Sequence, residues 1–187
     1  QLARNLLEKY KRLELQKGEA SSVVKLTEAN YSKLSTEIDA VNESVWINST
    51  TTTVTSTEAF QEADISIIGE NGVTERFKQF DIVKVGEKLD ALVGTPIMEM
   101  NEAGDMVPSD RRYTDADVKK LKARAAEMHT RNATNIKNAR EELMERLTQR
   151  IKADPTNPIT SIDTKGLLPN QIRNLRAFQD DEAGLSI

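Results

Sequence analysis

The sequence predicts an α+β, mainly α protein in which long, coiled-coil-like helical arms flank a small β-rich insertion. Three observations predict it. Residues 113–152 contain neither glycine nor proline and carry an apolar stripe at helical spacing. Between residues 46 and 112 the pattern turns β-branched and shorter in period, and Asn71-Gly72 supplies the strongest short hairpin signal in the chain. Only 4% of residues are aromatic and 30% are charged, so the core is thin and suits an elongated helical molecule better than a compact globule.

The first segment, residues 1–45, reads as a helical arm. Leu2, Leu6, Tyr10 and Leu13 recur at helical spacing, and Gly18 stands where a helix C-cap belongs. A second helical stretch follows with Thr27 as its candidate cap. Its apolar residues Tyr31, Leu34, Ile38, Val41 and Val45 step by three and four, the spacing of a heptad seam.

Residues 46–112 form the predicted acidic, β-rich insertion. The β-branched stretch 45–60 reads as one or two extended segments, with a flexible linker as the alternative for its threonine run. A hairpin joins Ile65–Ile68 to Val73–Val85 through Asn71-Gly72. Phe77, Phe80, Ile82 and Val85 supply most of its apolar face, with a bulge where the alternation shifts. Residues 86–94 read as a short amphipathic helix closed by Pro96, and residues 96–108 as a second hairpin with Gly104 at its tip.

The long basic helix, residues 113–153, has clear ends. Thr114 caps it, Asp115 and Asp117 place negative charge at the positive end of the helix dipole, Lys152 falls in the last turn, and Pro155 and Pro158 stop it. Val118, Leu121, Ala125, Met128, Asn132, Ile136, Ala139, Leu143, Leu147 and Ile151 make nine steps over 33 residues, or 3.67 per step. This eleven-residue repeat runs nearly straight along a helix and predicts a narrow seam against another long helix. Asn132 is its one polar member; such a residue fixes register in a buried seam, and the alternative is a solvated or partly exposed position. Residues 154–187 read as a connector, a short helix from Pro169 carrying Ile172, Leu175 and Phe178, and an acidic tail.

Catalytic chemistry has little to work with. The chain lacks cysteine, which removes disulfides, thiolate metal sites and cysteine nucleophiles. His129 is the only histidine, so histidine metal triads and Ser-His-Asp sites are excluded within one chain, and no glycine-rich phosphate loop is present. The carboxylate groups Glu141, Glu142 and Glu145, or Asp180, Asp181 and Glu182, lack calcium-loop spacing and read as solvated faces. No catalytic residue, cofactor or metal is therefore expected. No run of 18 apolar residues occurs, so no membrane segment is expected. Asn42, Asn48 and Asn132 begin glycosylation triplets, but secretion is not the expectation; the cytoplasm or the interior of an assembled particle is.

Charge is divided along the chain. Residues 18–110 hold six Lys/Arg against 17 Asp/Glu, and residues 111–152 hold twelve against six. The expected function is non-enzymatic assembly, as a scaffold, connector or virion-type component acting through helix–helix and oligomer contacts. Partners are then further copies of the chain or a larger protein assembly, with the helix cations meeting acidic residues such as Glu62, Asp64, Glu70 and Glu75. One alternative is nucleic-acid binding through Lys119, Lys122, Arg131, Lys137 and Arg140. These lie on several sides of the helix, and it lacks aromatic residues to stack bases. A second alternative is a coiled-coil, chaperone-like adaptor.

Overall fold

The computed structural model describes residues 4, 5, 7, 8 and 28–184. The architecture is α+β and mainly α, with two two-stranded sheets. In chain order the elements are α1 (Glu28–Thr55), a 3-10 turn (Glu58–Phe60), β1 (Gln61–Ile68), β2 (Thr74–Phe80), α2 (Ile82–Asp90), β3 (Pro96–Met100), β4 (Met106–Arg112), α3 (Asp115–Ala153) and α4 (Pro169–Glu182). The chain divides into two compact units, residues 1–52 and 53–187. The remaining segment predicted around Leu2, Leu6, Tyr10, Leu13, Gly18 and Thr27 lies outside the described residues.

In the first unit, Arg4 pairs with the Asp39 carboxylate and donates to the Ser35 carbonyl, while Tyr31 donates to the Glu8 carboxylate. Residues 4 and 8 thus run antiparallel to α1. The hydrogen bond to Glu8 raises the Tyr31 pKa above its usual 10.0. Ile38 is half-buried, whereas Leu34, Val41 and Val45 of the heptad stripe are exposed.

Helix α1 overturns one expectation. Residues 46–55, read as extended from their β-branched content, continue the helix to Thr55. Threonine is compatible with this state because its hydroxyl can return a hydrogen bond to the carbonyl four residues back, as Thr36 does to Ser32 and Thr57 to Thr53. Thr51, Val54 and Thr55 are buried, so packing outweighs strand propensity.

The second unit is built on α3. Its capping box is the expected one: the Thr114 hydroxyl accepts from Asp117 N at 3.1 Å, and Asp117 accepts from Thr114 N at 2.9 Å. Both hairpins use the same turn. Gly69 N donates to Val73 O and Gly72 N to Gly69 O, and Asn101 with Asp105 and Gly104 repeats the arrangement. Gly72 and Gly104 take φ values of +77° and +85°, the left-handed position that closes a three-residue loop. The register shift in the first hairpin falls between Gln61 and Ala63 of β1, opposite Gln79 and Phe80, rather than on the second strand where the apolar alternation shifts.

The second strand of that hairpin ends earlier than predicted. Asp81 accepts from Val83 N and Lys84 N and caps α2, so Ile82 and Val85 belong to a helix rather than to the sheet face. Val85 and Leu89, four residues apart, are the fully buried side of α2, which packs on α3.

The α3 stripe behaves as predicted in burial but not in partner. Val118, Leu121, Ala125, Ile136, Leu143, Leu147 and Ile151 are buried, Met128, Asn132 and Ala139 are half-buried, and Lys119, Glu141 and Glu145 are exposed. The seam is covered by α2, the β1–β2 hairpin and α4 of the same unit, not by another long helix. At its C-terminal half Leu143, Leu147 and Ile151 pack with Ile67, Leu167 and Leu175, joined by Ile65, Phe77, Ile172 and Phe178. Short elements laid side by side satisfy the same straight stripe that a second long helix would, and periodicity on α3 does not distinguish them.

The connector is held closely. Arg140 Nε donates to Gly166 O at 2.8 Å and Arg150 reaches both Pro158 O and the Asp163 carboxylate at 3.1 Å, while Arg146 ties α3 to the end of β1 through Ile68 O. Gln179 of α4 donates to Pro155 O and Asn157 O and accepts from Ile159 N. Gly166, at φ +90°, passes so near β1 that an added Cβ would lie 2.6 Å from Ser66 O and from the Ile67 side chain.

Candidate functional site: the basin at the middle of the long helix

The stripe on α3 is covered at both ends and open between them. A concave basin of about 850 Å³ lies there. Met128 and Asn132 of α3 form part of its wall, with Thr55 at the end of α1, Ser56 and Glu58 just after it, and Gln61, Ala63, Asp64, Arg76, Lys78 and Phe80 from the hairpin.

Gln79, buried at the end of β2, fixes the hairpin to the helix. Its amide donates to His129 O at 3.0 Å, and its oxygen accepts from Asn132 at 3.3 Å and from Phe80 N at 3.2 Å. The Phe80 ring meets the His129 ring edge-on at 5.5 Å. Asn132 is thus half-buried and bonded to the hairpin rather than to a second helix.

One ion pair lines the basin. Arg76 Nε donates to Asp64 Oδ1 at 2.7 Å, and a second nitrogen donates to Oδ2. These hydrogen bonds hold the Asp64 carboxyl below its usual 3.8 and raise the Arg76 guanidinium. A carboxylate locked in this way is a poor proton donor or acceptor near neutral pH. The basin offers a mixed polar surface.

The candidate nucleic-acid residues are not gathered into one face. Arg140 is half-buried and committed to Gly166 O, Lys122 pairs with Asp90 at 3.1 Å, and Lys137 stands 3.9 Å from Glu141. Lys119 and Arg131 are exposed. The ion pair between the helix and the acidic middle is Lys122 with Asp90 rather than with the expected Glu62, Asp64, Glu70 or Glu75, and Asp64 pairs instead with Arg76 on the neighbouring strand.

Glu141, Glu142 and Glu145 are exposed, as are Asp180, Asp181 and Glu182. Among the described residues no group of three or more His, Asp or Glu is placed to hold a metal ion. No helix among them is long and apolar enough to cross a membrane.

Gln79, Gly166, Arg146 and Arg150 are not singled out by the sequence, and Arg140 is singled out only as a candidate phosphate contact, not as a carbonyl donor. Their roles depend on contacts between segments distant in the chain, and Asn132, the polar break in the stripe, was the only pointer to one of them. No family model matches the chain, and no curated protein or solved structure is detectably similar to it.

Proposed function

We propose that this chain is a non-enzymatic assembly component that joins copies of itself through the heptad face of α1. The observation that carries the reading is the exposure of three of its five apolar residues: Val41 and Val45 are each 61% exposed and Leu34 37%, while Tyr31 and Ile38 are half-buried. The stripe on α3 offers less support, because its apolar residues are used within the second unit. A β-branched and leucine stripe at alternating three- and four-residue steps is the pattern that a second helix covers. Ser35, Glu37, Asn42 and Ser44 flank it, so a second copy meets few like charges there.

The nucleic-acid alternative draws weaker support, since Lys122 and Arg140 already have intrachain partners. The test is the solution mass of the wild-type chain beside Val41→Glu/Val45→Glu, with helicity followed by circular dichroism. The reading expects an oligomeric wild type and a helical, monomeric variant. A variant that keeps the wild-type mass overturns it. Adding DNA or RNA at low salt decides the alternative, which requires binding that falls steeply as salt rises.

A further inference from the structure

We propose that Met98, Met100 and Met106 form a thioether site for a soft monovalent cation of the copper(I) or silver(I) class. The argument begins with the register of the second hairpin. Met98 pairs with Pro108, Glu99 with Val107, and Met100 with Met106. Asn101 N donates to Asp105 O, so the next pair, Met100 with Met106, is of the non-hydrogen-bonded kind in which facing side chains approach most closely. Met98, two residues before Met100, lies on the same face. Pro108 opposite Met98 fits this register, because a non-hydrogen-bonded position asks for no N–H.

Three thioethers thus share one face, and all three are open: Met98 is 46%, Met100 69% and Met106 56% exposed. Packing of the hairpin does not account for them, since Ile97 is the buried residue of β3 and Val107 the half-buried apolar residue of β4. Methionine has three rotatable bonds, so three sulfurs on adjacent positions can converge on one ion. Thioether sulfur selects soft cations over calcium or magnesium.

Two further features favour the site. The hairpin carries Glu99, Glu102, Asp105 and Asp110 against Arg111 and Arg112 at its base, so its tip, where the methionines lie, attracts cations. Competing soft donors are few: there is no cysteine, and the single histidine is half-buried against Phe80. The other methionines, Met128 and Met144, are half-buried on α3 and serve as internal controls.

The experiment titrates the full chain with silver nitrate in chloride-free buffer, and with copper(I) held reduced by ascorbate without oxygen, while NMR follows isotope-labelled methionine methyl groups. The expected result is one bound ion, with the methyls of Met98, Met100 and Met106 shifting together and those of Met128 and Met144 unchanged. Met100→Leu should weaken binding by roughly tenfold or more, and Met98→Leu/Met100→Leu/Met106→Leu should abolish it. Leucine keeps the face apolar, so the triple variant separates sulfur ligation from docking of an apolar partner. No saturable shift of these three methyls, or equal affinity in the triple variant, overturns the proposal.

Discussion

Replacing Gly166 with alanine tests how the connector is locked to the hairpin. Two costs are expected. A φ of +90° strains any residue with a Cβ, by about 1–2 kcal/mol. The new methyl would also sit 2.6 Å from Ser66 O and Ile67 Cγ1 and 3.2 Å from Ile65 Cγ2, and one of these contacts is backbone that cannot rotate away. Overpacking of this kind costs about 1–3 kcal/mol, which brings the expected loss to roughly 2–5 kcal/mol. Gly104→Ala is the control, because it shares the positive φ but has nothing within 4 Å of the added atom. With a urea slope of about 2 kcal/mol/M, a loss of about 3 kcal/mol moves the midpoint down by roughly 1.5 M. Urea unfolding followed by circular dichroism reads both variants. Equal midpoints for Gly166→Ala and Gly104→Ala would refute the close approach of the connector to β1.

Three other perturbations have defined outcomes. The Thr51 hydroxyl is buried without a hydrogen-bond partner, so Thr51→Val should leave thermal stability unchanged or raise it by about 1 kcal/mol. Gln79→Ala should cost about 1–3 kcal/mol by stranding the polar groups it serves. Adding Asn132→Ala to it should then cost less than Asn132→Ala alone, which a double-mutant cycle reads. For Asp163, burial pushes its pKa up, but the Thr160 backbone and hydroxyl and the Arg150 guanidinium together hold it below the usual 3.8. A depressed carboxylate stabilises the fold above its unfolded pKa and loses that contribution as pH falls through the folded one, so wild type should lose more stability than Asp163→Asn between about pH 5 and pH 2.

Elements whose ends carry local chemistry were legible in the sequence. Thr114 and Asp117, Asn71-Gly72, Gly104 and Pro169 each act within a few residues, and each marks the element that the structure contains. Residues 46–55 were misread because their threonines have strand propensity, whereas burial of Thr51 and Thr55 favours the helix. Ile82 and Val85 were assigned to a strand because two apolar residues three apart do not fix a period, and Asp81 was not recognised as a cap. The burial of the α3 stripe was legible, but not the identity of what covers it. The basin was out of reach, since Gln79 meets Asn132 across 53 residues of chain. Met98, Met100 and Met106 share a face only through the register of β3 with β4, which residue spacing alone does not show.

The central claim is that the exposed heptad face of α1 joins copies of the chain. Sedimentation equilibrium of the wild-type chain over about a hundredfold dilution tests it most directly, because self-association follows mass action. The account predicts a mass that is a multiple of 20.9 kDa at high concentration and falls toward 20.9 kDa on dilution. A mass of 20.9 kDa at every concentration would contradict it.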